Sequence, residues 1–305
     1  MLRKLMLLIA QNRSLVSIIS WFGSRSGLAK RFVAGDRFRD AMQVVQQLNQ
    51  EDIPVSLDLL GEGIELKEHA VEAAEIYRAL LRKINKTGIT ASISIKLTQI
   101  GLDISRDLCS DNLNLILDEA KALNNFVRID MEDSSCTEET ISLFKEKLDI
   151  YGPAHVGIVI QSYLYRSEAD IDDLTRLNCN IRLCKGAYME PPEVAFPKKR
   201  DVDESFRKLL EVMLNSRSFS AIATHDEKMI QCAQQLISRN SIPSQKYEFQ
   251  MLYGVRRERQ FQLRREGYPI RVYVPFGRRW APYFMRRLAE RPANVLFILR
   301  NLFRK

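Results

Sequence analysis

Eight short runs rich in apolar, mostly β-branched residues alternate with longer stretches of helical periodicity, and this alternation limits the possible folds. The runs span 55–60, 92–97, 126–131, 156–161, 181–184, 221–224, 247–252 and 271–274. Strands with such a continuous apolar character are typical of a parallel sheet that is covered by helices.

The segments between the runs carry apolar residues at spacings of three and four. One example is Ala70, Ala74, Tyr77 and Leu81, and 113–120 and 229–236 follow the same rule. This spacing predicts amphipathic helices. Strands that alternate with helices in a stretch of about 250 residues indicate an α/β protein with a closed (βα)8 barrel of the TIM type rather than an open sheet.

We expect the barrel to occupy 55–305 and residues 1–54 to form an N-terminal helical appendage. No internal repeat, low-complexity tract or Gly/Ser linker divides the chain. The N-terminal apolar run is interrupted by Gln11 and Arg13 and is too short to span a membrane. It predicts an amphipathic helix that packs on the domain or rests on a membrane interface. An organelle transit peptide is the alternative, because no acidic residue precedes Asp36.

Composition excludes several classes of protein. The chain has 305 residues, of which 46% are hydrophobic and 28% charged, as in ordinary globular proteins. Three histidines make a His-rich metal centre implausible, so we expect no metal. The cysteines are odd in number and form no C-x-x-C pair, which argues against a disulfide framework and favours a reducing, cytoplasmic location. They are Cys109, Cys136, Cys179, Cys184 and Cys232.

Positive charge is concentrated at one end of the chain. The net charge is +8, and 251–305 holds fourteen Lys/Arg against three Glu. Such an end could steer anions or touch an acidic membrane surface. A nucleic-acid-binding module is the non-enzymatic alternative, but the aromatic residues of this stretch do not form a stacking platform. We therefore expect no nucleic-acid partner.

Polar residues close every predicted strand. In (βα)8 barrels, catalytic groups gather at the carboxyl ends of the strands. A polar residue at one strand end is common without any function, but several cations around a single mouth, with Asp130 as a counter-charge, indicate a site for an anion. The closing residues are Glu62, Lys96, Asp130, Gln161, Arg182, Lys185, Thr224, His225, Asp226, Gln250 and Tyr273.

A predicted helix after the last strand carries a pair of arginines. Tyr283 and Arg287 are four residues apart, and so are Arg286 and Glu290. This spacing lets two guanidinium groups project toward one anion, as a small carboxylate substrate would require. The sequence has no G-x-G-x-x-G after any strand, so a Rossmann nucleotide domain is not expected.

Several distinctive motifs follow one another in order along the chain. They are Arg31-Phe-Val-Ala-Gly35, Ile181-Arg-Leu-Cys-Lys-Gly-Ala-Tyr188, Pro191-Pro-Glu-Val-Ala-Phe196, Ala223-Thr-His-Asp226, Tyr247-Glu-Phe-Gln-Met-Leu-Tyr-Gly254, Tyr273-Val-Pro-Phe-Gly277 and Tyr283-Phe-Met-Arg-Arg-Leu-Ala-Glu290. Together they resemble the motifs of proline dehydrogenase, in its monofunctional bacterial form. The resemblance covers the chain from about residue 31 to its end, and Cys184 departs from the aliphatic residue of the family pattern.

The resemblance implies a distorted (βα)8 barrel with N-terminal helices and a C-terminal helix over the barrel mouth. It implies non-covalent FAD as the cofactor and oxidation of L-proline to Δ1-pyrroline-5-carboxylate, the first step of proline catabolism to glutamate. A hydride would pass from proline C5 to flavin N5, and the electrons would pass on to a membrane quinone. Peripheral contact with the inner face of the cytoplasmic membrane would follow from that acceptor.

The resemblance also assigns roles to residues at matching positions. Asp130 and Arg182 are implied at the active centre. The implied substrate-binding residues are Lys96, Arg286, Arg287, Tyr273, Tyr283, Leu252 and Tyr188. The implied cofactor-binding residues are Met131, Gln161, Arg182, Lys185, Gly186, Ala187, Thr224 and His225.

A Schiff-base lyase or aldolase on the same barrel is the alternative enzyme. Lys96 or Lys185 would then be the nucleophile, and the surrounding cations would bind a phosphate or carboxylate. Trapping with borohydride and a carbonyl substrate would reveal this chemistry, whereas a flavin spectrum would argue against it.

Overall fold

Eight parallel strands form a closed barrel in the computed structural model, which describes residues 31–61, 64–281 and 283. Each strand pairs with the next one along the chain, and β8 pairs with β1 to close the ring. At this closing seam Val55 lies opposite Val272, and Leu59 lies opposite Phe276. The predicted α/β barrel is confirmed.

Each predicted strand corresponds to one observed strand, and no boundary differs by more than two residues. The strands are β1 Val55–Leu59, β2 Ala91–Lys96, β3 Val127–Asp130, β4 Val156–Gln161, β5 Asn180–Cys184, β6 Phe219–Ala223, β7 Tyr247–Leu252 and β8 Ile270–Phe276. The apolar runs located the strands this well because their β-branched residues pack under the surrounding helices.

Within the described residues, one α-helix precedes the barrel and one lies between each pair of successive strands. The helices are α1 Phe38–Gln50, α2 Lys67–Thr87, α3 Arg106–Ala122, α4 Thr137–Tyr151, α5 Ser167–Arg176, α6 Lys199–Asn215, α7 Glu227–Arg239 and α8 Arg257–Arg265. Among the helices of the described segments, none has the length and hydropathy needed to cross a bilayer.

Helix α1 lies against the closing seam of the barrel. Its buried residues Ala41, Val45 and Leu48 belong to the same hydrophobic core as the strands, and it packs against β1 and β8. In a regular barrel the helix that follows β8 would pack there. Helix α1 thus shares the core of the barrel, and the predicted boundary between residues 1–54 and 55–305 stays a prediction. The expected C-terminal helix over the mouth falls outside the described residues, apart from Tyr283.

Most of the strands carry apolar residues on their outer face and polar residues on their inner face, because strand residues alternate between the two faces. Side chains of strands that are not neighbours meet across the interior: Arg182 of β5 contacts Ser94 of β2, Asp130 of β3 and Gln250 of β7. Strand β6 is an exception, because its Phe219 and Ala221 lie in register with Asn180 and Arg182 on the inner face.

The segment before α1 is fixed to the barrel by backbone contacts. The Ala34 amide donates to the Pro275 carbonyl at 2.9 Å, and the Gly277 amide donates to the Gly35 carbonyl at 2.8 Å. Gly254, in the loop between β7 and α8, adopts φ +74° against the Arg31 backbone, and a Cβ added there would collide with the Arg31 carbonyl oxygen.

We expect Gly254→Ala to destabilise the protein more than Gly88→Ala. Gly88 adopts a similar φ of +66°, but nothing lies within 4 Å of an added Cβ. Gly88→Ala should therefore lose only about 1–2 kcal/mol from backbone strain, whereas Gly254→Ala must also displace the Arg31 backbone. Thermal and urea unfolding of the two variants measure the difference, and equal losses would contradict the close approach at Gly254.

Candidate active site

A cavity of about 930 Å³ opens at the carboxyl ends of the strands. Its volume is in the upper part of the range for cofactor and ligand sites, roughly 300–1,000 Å³. Every candidate residue within the described part of the chain lines it, whereas Arg286, Arg287 and Glu62 lie outside the described residues. The candidates that line it are Lys96, Asp130, Met131, Gln161, Arg182, Lys185, Gly186, Ala187, Tyr188, Thr224, His225, Asp226, Gln250, Leu252, Tyr273 and Tyr283.

A buried ion pair joins Arg182 and Asp130 at the base of the cavity. The NH1 of Arg182 lies 2.7 Å from Asp130 Oδ1, and the two residues are 6% and 9% exposed. The Tyr273 hydroxyl donates to Asp130 Oδ2 at 2.7 Å, and the Arg182 guanidinium carbon lies 5.3 Å from the centre of the Tyr273 ring. Arg182 is thus held by a carboxylate at one edge and by an aromatic ring on one face.

Tyr273 acts as a neutral donor in this arrangement. Burial, and then the negative charge of Asp130, raise the pKa of Tyr273 well above its usual value. A phenol that stays protonated keeps donating to Asp130, so the Asp130 carboxylate remains an acceptor for both Arg182 and Tyr273.

Lys96 lies between two carboxylates. Its Nζ is 2.9 Å from Asp58 Oδ1 and 3.9 Å from Asp130 Oδ2. Asp58 is 1% exposed, and burial raises its pKa, although Lys96 opposes that shift. Asp58 was not among the predicted site residues, because the sequence predicts Glu62, beyond the end of β1, as the residue that closes this strand. The available signal was one acidic residue within the apolar run Val55–Leu59.

The mouth of the cavity holds a cluster of two lysines and two aspartates. Lys185 Nζ lies 2.5 Å from Asp203 Oδ1 and 2.7 Å from Asp226 Oδ2. Lys199 Nζ contacts Asp203 as well and lies 3.0 Å from Asp226 Oδ2. The sequence predicted cations around the mouth, but here each cation is paired, and Asp203 was not among the candidates.

The pKa of Asp226 reflects this pairing. Burial acts to raise the pKa, but hydrogen bonds from Lys185 and Lys199 outweigh it, and the pKa of Asp226 lies below its usual value. Asp226 is also the N-cap of α7, where its Oδ1 accepts from the Lys228 amide at 3.1 Å.

His225 is held between β7 and α8. Its Nε2 accepts a hydrogen bond from the Leu252 amide at 2.8 Å, which requires that nitrogen to be unprotonated. Arg256 donates to the His225 carbonyl at 2.8 Å and pairs with Glu227 at 2.5 Å. The end of β7 thus contributes to holding the imidazole in place.

The loop after β5 is pinned where it lines the cavity. Gly186 adopts φ +111° and presses on the Tyr163 ring, so any Cβ there would collide with that ring. The Tyr163 amide donates to the Lys185 carbonyl at 3.0 Å. Glu190 accepts from the Ser134 amide at 2.7 Å and from the Ser134 hydroxyl at 2.5 Å. These contacts fix the loop that carries Gly186, Ala187 and Tyr188.

Gln161 closes β4 beneath the same loop. Its Nε2 donates to the Glu132 carbonyl at 2.6 Å, and the Glu132 carboxylate accepts from the Thr98 amide at 3.1 Å. Gln161 is 2% exposed, so its amide has a fixed orientation at the cavity wall. Tyr163, Glu132 and Glu190 escaped the sequence analysis because they act through contacts between loops that are distant in sequence.

Known proteins share both the sequence and the fold of this chain. The family model described as proline dehydrogenase matches residues 41–300. A protein of Bacillus subtilis subsp. natto named proline dehydrogenase 1 is 43% identical over 305 residues, which is 100% of both chains. A proline dehydrogenase of Deinococcus radiodurans is 41% identical over 280 residues, covering 91% of this chain and 90% of that protein.

Solved structures of larger proteins contain the same barrel. Proline utilization A from Bdellovibrio bacteriovorus, inactivated by N-propargylglycine, aligns with a TM-score of 0.81 at 25% identity, over 87% of this chain and 32% of that one. Proline utilization A from Corynebacterium freiburgense aligns with a TM-score of 0.77 at 20% identity, over 98% and 34% of the two chains, a likeness of fold alone. The chain thus spans about a third of these solved proteins.

We expect the Asp226→Asn variant to be less stable than the wild type near neutral pH and to lose part of this deficit in acid. Asn keeps the helix cap and removes only the charge. Because the folded pKa of Asp226 is lowered, its charge stabilises the fold above the unfolded pKa of about 3.9, and this contribution is lost as the pH falls through the lowered folded value.

Melting temperatures between pH 7 and pH 3 measure this effect. The gap of a few degrees between wild type and variant should shrink below about pH 4. Asp111→Asn, at an exposed position of α3, is the control and should show no such gap. A gap for Asp226→Asn that is constant with pH would contradict the role of its charge.

Proposed function

The chain belongs to the proline dehydrogenase family, and we propose that it oxidises L-proline to Δ1-pyrroline-5-carboxylate with non-covalent FAD. The observation that carries the proposal is that the candidate residues of the described chain surround one cavity with the Arg182–Asp130 pair at its base. In a barrel with this arrangement, substrate and cofactor can meet at the carboxyl ends of the strands.

The residues at the mouth fit FAD. Lys185, Lys199 and Arg256 line it and offer cationic groups for a diphosphate, while Met131 and Leu252 offer apolar surface for a ring system. A Cβ at Gly186 would collide with the Tyr163 ring, which also lines the cavity, so the glycine preserves the shape of this wall. Met131, Gln161, Arg182, Lys185, Gly186, Ala187, Thr224 and His225 are the residues that would hold the cofactor. When bound, FAD supplies the acceptor for the hydride from proline C5.

Cations at the base would hold the substrate by its carboxylate. We propose that Arg286 and Arg287 grip the carboxylate together with Lys96, whose Nζ faces Asp58 and Asp130. A guanidinium fork fixes the plane of a carboxylate as well as its position, and so removes the rotational freedom of the bound substrate. The same positive charges lower the pKa of the substrate ammonium and favour the neutral amine that can release a hydride.

The remaining residues would shape the pocket around the proline ring. Tyr188, Leu252, Tyr273 and Tyr283 line the cavity, and their rings and aliphatic carbons exclude water from the reacting carbon. Asp130 would act at the centre by orienting Arg182 and the Tyr273 hydroxyl.

We propose a membrane quinone as the final electron acceptor, with a cytoplasmic enzyme that touches the inner face of the membrane peripherally. The sequence features behind this proposal are the basic, apolar N-terminus and the apolar run at 294–299. Both segments lie outside the described residues.

The alternative of a Schiff-base lyase is not favoured. Lys185 pairs with Asp203 and Asp226, and Lys96 pairs with Asp58. A Schiff-base lysine needs a neutral amine that can reach a carbonyl, whereas these ammonium groups lie in salt bridges.

The visible spectrum of the FAD-loaded protein under anaerobic conditions tests the proposed activity. Excess L-proline should bleach the oxidised flavin band and yield the cyclic imine, and a soluble quinone should restore the band. D-proline and L-alanine are the controls and should leave the spectrum unchanged. A flavin that stays oxidised in excess L-proline would overturn the proposal.

We expect the double variant Arg286→Lys, Arg287→Lys to raise KM for L-proline by roughly tenfold or more while the protein stays folded. The loss of charge-assisted contacts to a carboxylate costs about 1.5–3 kcal/mol, and 1.4 kcal/mol is about tenfold in affinity. Arg278→Lys, Arg279→Lys is the matched control, because these neighbouring arginines are exposed. Equal KM values for the two double variants would remove Arg286 and Arg287 from the substrate site.

A further inference from the structure

We propose that Gln250 and Glu248 are positioning residues that fix the guanidinium of Arg182 in the active site, through a chain of side chains that continues to Arg271. The proposal rests on the proposed function, in which Arg182 acts at the active centre. Gln250 and Glu248 both lie on β7, on the inner face of the barrel, two residues apart.

Each nitrogen of the Arg182 guanidinium has its own partner from a different strand. NH1 donates to Asp130 Oδ1 of β3 at 2.7 Å, and NH2 donates to Ser94 Oγ of β2 at 3.3 Å. Nε donates to Gln250 Oε1 of β7. A planar cation with three such contacts cannot turn about its long axis without losing one of them.

The orientation of the Gln250 amide is determined by its second partner. Gln250 Nε2 donates to Glu248 Oε1. If the amide were flipped, its oxygen would face a carboxylate oxygen and its NH2 group would face the Nε–H of Arg182, so two attractive contacts would become repulsive. Because Glu248 is an acceptor, the Gln250 oxygen must point to Arg182.

Glu248 is itself held in place from below. Its Oε1 also accepts from Arg271 Nε at 2.8 Å, and Arg271 NH1 reaches the Val55 carbonyl at 3.2 Å. Burial acts to raise the pKa of Glu248, but Arg271, Gln250 and Arg128 outweigh it, so its pKa lies below the usual value. The carboxylate therefore stays ionised beside Arg271 of β8, with Arg128 of β3 as a second cation acting on it.

A continuous series of hydrogen bonds therefore runs from Arg271 through Glu248 and Gln250 to Arg182 at the cavity. Gln250 is 4% exposed, and both ends of its amide are committed to protein partners. Although Gln250 lines the cavity as well, its amide is committed at both ends, so we expect it to act on the reaction through Arg182. Buried polar chains of this kind fix a unique geometry when every member is satisfied.

Four proteins test the proposal: wild type, Glu248→Gln, Gln250→Glu and the double variant that carries both changes. Gln250→Glu keeps an acceptor for Arg182 Nε but places its second oxygen against Glu248 Oε1, so the two carboxylates repel each other and the acceptor for Arg182 is no longer held in one position. The double variant again has one carboxylate and one amide, with their order reversed, so the repulsion disappears and only the Arg271 contact must shift. Glu248→Gln keeps an acceptor oxygen for both donors.

The measurements are the dissociation constant of FAD, kcat and KM for L-proline, and the melting temperature. We expect Gln250→Glu to lower kcat by roughly tenfold or more, and the double variant to recover most of that loss, because neighbours in one hydrogen-bond chain are strongly coupled. Glu248→Gln should stay within about threefold of the wild type, since its contacts persist. The FAD dissociation constants should follow the same order.

Two further variants separate positioning from stability. Gln250→Met removes the acceptor for Arg182 Nε without adding a charge, and it should also lower kcat. This variant keeps the proposal testable if Gln250→Glu does not fold. Asn112→Leu removes a buried amide that donates to the Ile100 carbonyl at 3.0 Å in the outer part of the barrel. This control should lower the melting temperature and leave kcat unchanged.

Normal kcat in Gln250→Met, or a double variant as impaired as Gln250→Glu, would overturn the proposal. Failure of the proposed function has a different signature: L-proline would not reduce even the wild-type flavin. In that case the FAD dissociation constants of the four proteins still test the coupling between Gln250 and Glu248, and their equality would overturn it.

Discussion

The ion pair between Arg182 and Asp130 across the barrel interior is the interaction on which the rest of the site depends. Two opposite charges removed from water cost several kcal/mol each unless their remaining hydrogen bonds are satisfied. The barrel meets this requirement by placing Ser94, Gln250 and Tyr273 around the pair. The buried ion pair needs these polar partners, and they occupy the interior of the barrel. The hydrophobic core lies instead between the strands and the surrounding helices.

The charged groups at the mouth of the cavity are arranged differently from those at its base. Lys185 and Lys199 form salt bridges with Asp203 and Asp226, so the cluster is close to neutral before any ligand arrives. An anionic ligand would compete with the aspartates for the two lysines, whereas Arg182 keeps its partners at the base. Under the proposed function, this arrangement separates cofactor capture at the mouth from the fixed geometry needed for hydride transfer.

Local rules predicted the barrel and the polar residues at its strand ends, whereas the resemblance to the family supplied other lining residues such as Met131, Gly186 and Tyr188. Periodicity located the strands and helices, and the strand-end rule brought Lys96, Asp130 and Gln161 to one mouth. Asp58 and Glu248 were missed because they lie within strands, and their contacts depend on the register between β1, β2, β7 and β8. The pairing of Lys185 with Asp203 was missed because it depends on how the loop after β5 turns back to α6.

A crystal structure of the FAD-loaded protein with a cyclic carboxylate that lacks the oxidisable amine tests the central claim most directly. The account predicts the isoalloxazine within the cavity, with Arg182 still bound to Asp130, Ser94 and Gln250 and the carboxylate held by cationic side chains at the base. Arg182 turned away from Asp130, or a flavin bound outside the cavity, would contradict it.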